Sequence, residues 1–283
     1  MKTNLVLAEL KKHFGFKLVI DVQDVWPEAI ASAYPAIVRF NKNLWPLSKC
    51  ADYVYSKADG LIAVSETYLT RARKSCPDKL GLVAYIGADL RVVDAIPPES
   101  LPSGIFRMIY LGTISYSYDL ETVVRGFNRL QESHKNIELH IMGGGPHLQN
   151  IRNLAGERVF FHGIVSYEKA VAYAKSCDLA INSIAQSAPQ SVTNKISDYF
   201  AIGLPILSSQ SCPEIVDLVR QAGGYNYEAG NLNSFCETFK NFMRNADKNE
   251  VKARTKKIGM QLFDRAKVYP EITRFLQVIY ERE

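Results

Sequence analysis

The sequence predicts an α/β protein with parallel sheets, and three observations support this. Short apolar runs alternate with amphipathic stretches of roughly ten residues along most of the chain. The apolar runs are bounded by glycine, proline and polar residues, as buried strands are. In residues 191–210 a short helix ends at Gly203, and Leu204 and Pro205 then open another apolar strand. Strands joined through helices in this way form right-handed βαβ units.

The first half contains three predicted strands, at 17–22, 61–64 and 82–86. Two helical stretches are predicted between them, at 27–57 and 65–74. Residues 88–104 then lose periodicity and contain three prolines, so we interpret them as a connection between two domains.

The second half is more regular. Its predicted strands are 105–111, 137–142, 159–162, 179–183 and 206–207. Its predicted helices are 120–131, 146–155, 167–176, the helix that ends at Gly203, and 213–221. Residues 231–283 are predicted to be helical with a break at Pro270. We therefore expect one domain at 1–100, a second at 104–267, and a last helix, 268–283, that packs back on the first.

Composition excludes several classes of protein. Of the 283 residues 47% are hydrophobic, which is enough for a substantial core, and the net charge is only +5. Such a small excess argues against a dedicated nucleic-acid binder. Basic clusters at 71–74 and 252–257 are either solvated helix faces or contacts with an anionic membrane, and both interpretations stay open.

The five cysteines are scattered and form no CxxC pair, which argues against a disulfide framework and a zinc site and favours a reducing compartment. No apolar run approaches the ~18 residues of a membrane helix, and no signal-peptide pattern is present. We expect a cytoplasmic protein, with peripheral attachment to the inner face of the plasma membrane left open.

The segment 191–210 carries the strongest functional signal. A polar turn carries Lys195, and a short helix follows with Asp198 near its start. A helix N-terminus and a lysine favour phosphate, and a carboxylate accepts hydrogen bonds from ribose hydroxyls, so the segment suits a nucleoside diphosphate. A surface lysine, a capping acid and a core strand explain the same spacing equally well.

A glycine run, Gly143-Gly144-Gly145, follows one predicted strand and precedes a helix. It either cradles phosphate or simply forms a tight turn. It is no dinucleotide fingerprint, because Leu148 stands where GxGxxG needs its last glycine. The five histidines are isolated in the sequence, which favours structural roles.

Four segments of the second half occur in a recognisable order: IYLGTISYSYDLETVVRGF, LHIMGGGPHLQNI, VFFHGIVSYEKAVAYAKSCDLAINSI and SVTNKISDYFAIGLPILSS. They resemble the nucleotide-sugar domain of retaining glycosyltransferases of the GT-B fold, family 4. VIDVQDVWPEAI and ADGLIAVSETYL in the first half resemble the later part of the family's N-terminal domain. The forms DVQD-WPE and SYDLET resemble the subgroup that builds bacterial capsule, exopolysaccharide or O-antigen.

The resemblance implies two Rossmann-like lobes with parallel sheets and a UDP-sugar donor held by the second lobe. Asp198 would hold the ribose, Lys195 the diphosphate, and Gln190 the donor sugar. Gln23 and Asp24, from the first lobe, would face that sugar and, with Gln190, are the catalytic candidates. The expected donor-binding residues are Gly112, Thr113, Gly144, Ile164, Val165, Asn194, Lys195, Asp198 and Glu214.

The resemblance has departures. Many relatives carry an arginine and a lysine after the glycine at position 112, where this chain has Thr113 and Tyr118. Gln190 and Asp198 replace a pair of glutamates. About the first third of the family's N-terminal domain has no counterpart, so we expect an incomplete first lobe. The isolated chain would then bind a uridine nucleotide and transfer sugar poorly.

The resemblance implies transfer with retention to a polyprenyl-diphosphate-linked or saccharide acceptor, without a metal cofactor. Two other interpretations stay open. One is a non-catalytic chain, or a donor-binding subunit completed by a second polypeptide that supplies the missing strands. The other is a GT-B-type epimerase, which the sequence disfavours because no cluster of carboxylates and histidines is evident.

Overall fold

The computed structural model describes residues 2–28, 45–186, 188 and 191–282. Within those ranges the chain divides into two compact units. The first runs to Ile86 and includes residues 191–192 and 266–282, and the second comprises 87–188 and 193–265. Parallel strands pair in both units, which confirms the predicted fold class.

The first unit contains a three-stranded parallel sheet in the order β1-β2-β3. Its strands are β1 (Val19–Val22), β2 (Gly60–Ala63) and β3 (Leu80–Val83). Its helices are α1 (Lys2–Phe14), α2 (Trp45–Lys57) and α3 (Glu66–Arg73). Ser65 caps α3 by accepting a hydrogen bond from the backbone N–H of Tyr68 at 3.1 Å, as an N-cap serine does.

Helix α1 was not predicted, although a long-range contact fixes its end. The ammonium of Lys11 donates to the carbonyl of Lys57 at 2.9 Å and to Asp59 Oδ1 at 2.7 Å. Asp59 also accepts from the backbone N–H of Leu18 at 2.6 Å. The carboxylate of Asp59 therefore joins α1, the end of α2 and the start of the sheet. No local sequence pattern predicts this contact.

The second unit is a six-stranded parallel sheet in the order β6-β5-β4-β7-β8-β9. Its strands are β4 (Phe106–Leu111), β5 (Ile137–Met142), β6 (Val159–Gly163), β7 (Leu179–Asn182), β8 (Ile206–Ser208) and β9 (Tyr225–Asn226). Strand β4 pairs with both β5 and β7, so the strand order reverses there. In open α/β sheets ligands bind beyond the carboxyl ends of strands at such a reversal.

Most of the helices that begin in the second unit follow one of its strands in the sequence. They are α4 (Leu90–Ala95), α5 (Leu120–Ser133), α6 (Leu148–Leu154), α7 (Tyr167–Lys175), α8 (Asn194–Ile202), α9 (Pro213–Gln221), α10 (Leu232–Asn245), α11 (Lys248–Leu262) and α12 (Arg265–Glu281). Apolar side chains of α5, α6 and α10 form the main buried cluster with one face of the sheet. None of the helices in the described parts of the chain has both the length and the apolar character needed to span a bilayer.

Residues 88–104, the predicted connection between two domains, contain the short helix α4. Asp89 caps α4 by accepting from the backbone N–H groups of Arg91 and Val92. Val93 is fully buried and belongs to a cluster with Val171. The division between units accordingly falls at residue 86, before the prolines begin.

The predicted break at Pro270 is wrong, because α12 continues through this residue. Proline removes a single backbone donor, and packing of the rest of the helix outweighs that loss. Within the first unit Val268 is buried against Ile62, and Phe275 packs against the same cluster. A Cβ on Gly60 would lie 2.8 Å from Ile279 Cδ1, so this glycine lets α12 approach the strand closely.

Candidate functional site

Two glycine loops meet at the carboxyl ends of β4 and β5. Gly112 and Gly143 have φ values of 121° and 145°, in the region that only glycine adopts easily. A Cβ on Gly143 would lie 1.9 Å from the carbonyl oxygen of Gly112. The backbone N–H of Ile114 donates to the Gly144 carbonyl at 2.9 Å. The two loops therefore contact each other main chain to main chain and form one surface.

A cleft of about 420 Å³, which we name cleft A, opens above this surface. Its lining residues are Leu111, Gly112, Thr113, Met142, Gly143, Gly144, Ile164, Val165, Tyr167 and Ala170. The side chain of Ile164 is 88% exposed, so it can cover a flat apolar ligand without first leaving a packed core. Cleft A thus brings together five residues expected at the donor site: Gly112, Thr113, Gly144, Ile164 and Val165.

Lys195 lies beside the Gly112 loop and is only 6% exposed. Its ammonium is 3.5 Å from the centre of the Tyr118 ring and 4.2 Å from that of Tyr110, and it donates to the Tyr110 hydroxyl at 2.8 Å. A Cβ on Gly112 would lie 3.4 Å from Lys195 Cε, so the glycine lets the lysine approach the loop. The aromatic faces stabilise the cation, because their π-electrons attract it.

The charge of Lys195 is not neutralised by a carboxylate in the described part of the chain. Burial alone lowers the pKa of Lys195 well below its usual range, because desolvation disfavours the charged form. A buried cation without an anion is costly. An incoming anion near Gly112 would offset that cost.

Asp198 lies one helical turn further along α8, in a second cleft of about 470 Å³, which we name cleft B. Its lining residues are Gly87, Asp89, Val92, Tyr167, Asn194, Asp198 and Arg265. Burial raises the pKa of Asp198 to about 6, although a hydrogen bond from Tyr167 and the charge of Arg265 act in the opposite direction. Tyr167 lines both clefts.

Helix α8 is fixed to the sheet by Tyr199. Its buried hydroxyl accepts from the backbone N–H of Leu111 at 2.9 Å and donates to the carbonyl of Ile181 at 3.2 Å. Gly203 ends the helix in the left-handed conformation that glycine adopts most easily, with a φ of 82°. Tyr199 thus ties α8 to β4 and β7, the two strands at the reversal of strand order.

The remaining expected site residues lie elsewhere. Glu214 is in the first turn of α9 and lines neither cleft. Gln23 and Asp24 belong to the first unit and line a small cavity of about 180 Å³, where the Gln23 amide donates to Asp21 at 2.8 Å. Burial raises the pKa of Asp24. Gln190 lies outside the described residues.

Sequence reasoning missed three groups that the site uses. Tyr110 and Tyr118 stabilise Lys195, and Tyr167 contacts Asp198. Tyr118 gave a partial signal, because it stands where many members of the resembling family have a lysine. The sequence pattern around Tyr110 indicates only a buried strand residue. Its position beside α8 becomes evident only from the strand order.

A larger cavity of the second unit, about 540 Å³, lies at the amino ends of β4 and β5. It is lined by Phe106 and Ile137 and by exposed groups such as Lys135, far along the strands from the glycine loops. In the described ranges no set of three or more His, Cys, Asp or Glu side chains is arranged to hold a metal ion. The carboxyl edge is therefore the better candidate for a ligand.

Comparison with known proteins finds a related family and related folds. Residues 106–245 match the family described as glycosyl transferases group 1. An uncharacterised glycosyltransferase of Methanocaldococcus jannaschii is 24% identical over 140 residues, which are 46% of this chain and 36% of that protein. This chain therefore spans about a third of the length of that relative.

Two solved structures share the fold over 98% of this chain. Anabaena HepE, solved in complex with UDP, has a TM-score of 0.77 at 17% identity, with 76% of its chain covered. Sucrose-phosphate synthase from Thermosynechococcus elongatus has a TM-score of 0.77 at 15% identity, with 71% covered. These likenesses confirm the GT-B-like fold, and the match to the group 1 glycosyltransferases covers residues 106–245 within it.

Proposed function

We propose that this protein transfers a sugar from a UDP-sugar donor, and that the second unit binds the nucleoside diphosphate. The diphosphate would lie on the surface formed by the Gly112 and Gly143 loops. The base of the nucleotide would lie in cleft A against the backbone of Ile164 and Val165, and the ribose would reach Asp198. HepE, a structural neighbour, has been solved with UDP and with UDP-glucose.

The observation that carries this proposal is the buried ammonium of Lys195 beside Gly112, which no carboxylate of the described residues neutralises. A cation held under a glycine loop attracts an anion that comes close to the main chain. The first turn of α8 adds partial positive charge, because its backbone N–H groups lack intrahelical partners. Together they suit two phosphate groups better than a single carboxylate.

The chemistry that follows is charge stabilisation rather than proton transfer. As the bond between the sugar and the diphosphate breaks, negative charge grows on the leaving phosphate, and preformed positive groups lower the energy of that state. Lys195 and the loop N–H groups would do this without a resident metal. Holding the donor and the acceptor in one geometry supplies the remaining rate acceleration.

We further propose that the transfer retains the anomeric configuration, as in GT-B family 4. The acceptor would be lipid-linked or a saccharide, in the synthesis of capsule, exopolysaccharide or O-antigen. The motifs DVQD-WPE and SYDLET support this subgroup. Gln23, Asp24 and Gln190 remain the candidates for contact with the transferred sugar.

Calorimetric titration with UDP tests the donor site directly. The parent chain should bind UDP, and Lys195→Met should bind it at least tenfold more weakly, because a charged hydrogen-bond partner is worth ~1.5–3 kcal/mol. The matched control is Lys257→Met, an exposed lysine on α11, which should leave the affinity unchanged. Equal binding by the parent and Lys195→Met would contradict the assignment of Lys195.

A further inference from the structure

Tyr167 lines both clefts and forms a hydrogen bond with Asp198. Its hydroxyl donates to Asp198 Oδ1 at 2.9 Å, and its side chain lines cleft A on one side and cleft B on the other. The residue is 42% exposed, so its ring forms a wall that a ligand can touch rather than part of the core. Neither the composition of the chain nor the family resemblance pointed to this residue.

The hydrogen bond leaves the other carboxylate oxygen of Asp198 open. No hydrogen bond to Asp198 Oδ2 comes from the residues that the structure describes. A hydrogen bond to one oxygen restricts rotation of the carboxylate and so favours one direction for its second oxygen. An acceptor fixed in advance binds more tightly, because less freedom is lost when the ligand arrives.

The charge of this carboxylate depends on the groups that face it. Tyr167 faces it from α7, Arg265 lies at the first residue of α12, and Asp89 caps α4. Asn194 on its own helix completes the polar lining. Burial raises the pKa of Asp198 to about 6, and the hydrogen bond from Tyr167 works against that rise. The phenol therefore helps to keep the acid ionised near neutral pH.

We propose that Tyr167 is the positioning residue of the ribose contact: it holds the carboxylate of Asp198 in place and aims Oδ2 at the ribose hydroxyls of the donor. This inference rests on the proposed function, because it concerns the same nucleotide. It assigns the contact to a tyrosine–aspartate pair on two helices, α7 and α8, rather than to the acid alone. Tyr167 acts through Asp198 and is not itself a catalytic residue.

The test is the pH profile of UDP-glucose binding, measured by calorimetry between about pH 5.5 and 8. UDP-glucose is the suitable probe because both of its phosphates are esterified and neither gains a proton in this range. The four proteins to compare are the parent, Tyr167→Phe, Asp198→Asn and the double variant. Tyr167→Phe keeps the ring and removes only the hydroxyl, so the wall between the clefts stays in place.

Affinity should fall as the pH falls through the pKa of Asp198, because the protonated acid is a weaker acceptor. Tyr167→Phe should weaken binding roughly fivefold to tenfold near pH 7 and move the loss of affinity to higher pH. Asp198→Asn should remove this part of the pH dependence. In that background, Tyr167→Phe should change the affinity by less than about twofold, since the group through which it acts is gone.

Tyr173→Phe is the matched control, because Tyr173 lies on the same helix and its hydroxyl contacts His140 instead. It should leave the affinity and the pH profile as in the parent. An unchanged pH profile in Tyr167→Phe would overturn the inference, as would an equal loss with and without Asp198→Asn. Failure of the parent itself to bind UDP-glucose would overturn the proposed function and this inference with it.

Discussion

The ammonium of Lys195 lies 3.5 Å from the centre of the Tyr118 ring. Tyr118 occupies the loop position at which many relatives in the resembling family carry a lysine of their own. In this chain the positive charge beside the loop comes from Lys195 on α8, and the loop supplies an aromatic surface for it. Tyr110 provides a second ring and a hydroxyl acceptor from β4.

Replacing Tyr118 should change how UDP-glucose binding depends on pH. Tyr118→Leu removes an aromatic face that stabilises the charged form of Lys195, so its already lowered pKa should fall further. Because the ammonium is lost as the pH rises through its pKa, this variant should lose affinity at lower pH than the parent. Titrations at a series of pH values would show this, and Tyr118→Phe, which keeps the ring, should follow the parent.

Lys195→Met should separate stability from binding. Replacing a buried ammonium with a thioether of similar length removes the cost of an unneutralised charge, so the free energy of unfolding should rise by ~1 kcal/mol while UDP binding falls. Urea denaturation monitored by circular dichroism would measure it. A loss of stability greater than ~1 kcal/mol would show that the ammonium is a structural group.

Gly259→Ala should disturb the donor site from a distance. A Cβ at this position of α11 would lie 2.2 Å from the carbonyl oxygen of Phe200, so α8 must move. We expect a stability loss of ~1–3 kcal/mol and weaker UDP-glucose binding, because α8 carries Lys195 and Asp198. The control is Ala253→Gly, an exposed position of α11, which should cost ~1 kcal/mol of helix stability and leave binding intact.

Stability should fall in mild acid because of His140. Its ring nitrogens contact Glu138 at 3.1 Å and His162 and the Tyr173 hydroxyl at 3.0 Å, and burial lowers its pKa to about 4. The unfolded chain takes up the proton near the ordinary pKa of 6.5, so stability is complete above that pH and is lost between about 6.5 and 4.

His140→Gln removes this titration. The unfolding free energy of the parent minus that of the variant should therefore decrease by an amount on the order of 2–3 kcal/mol when the pH is lowered from 7 to 4.5. Denaturant titrations at the two pH values would measure the difference. A difference that stays constant with pH would show that the folded protein accepts the proton on His140 without cost.

Much of the second unit follows from local sequence. The strand 137–142 and the helix 213–221 have the predicted bounds, because buried strands and capped amphipathic helices each leave a periodic pattern. The two-residue strand β9 was missed, since a pair of residues carries no period. In the first unit, α1 depends on Lys11 and Asp59, which are 48 residues apart in the sequence.

Only part of the site was predicted, because motifs are visible in the sequence and contacts between distant residues are not. Gly112, Lys195 and Asp198 stand in recognisable motifs, whereas Tyr167 meets Asp198 across 31 residues and two helices. Pairings of that kind are set by the strand order and by helix packing. They cannot be inferred from spacing along the chain, and only the folded arrangement identifies them.

The close contact between Gly112 and Gly143 constrains how this protein can diversify. The floor of cleft A is built from main chain, and a Cβ on Gly143 would collide with it at 1.9 Å. A side chain at Gly143 is therefore excluded by the main chain opposite it. Descendants of this gene that come to use a different donor would change the walls more readily, at positions such as Thr113, Ile164 and Tyr167, while keeping the contact between the two loops.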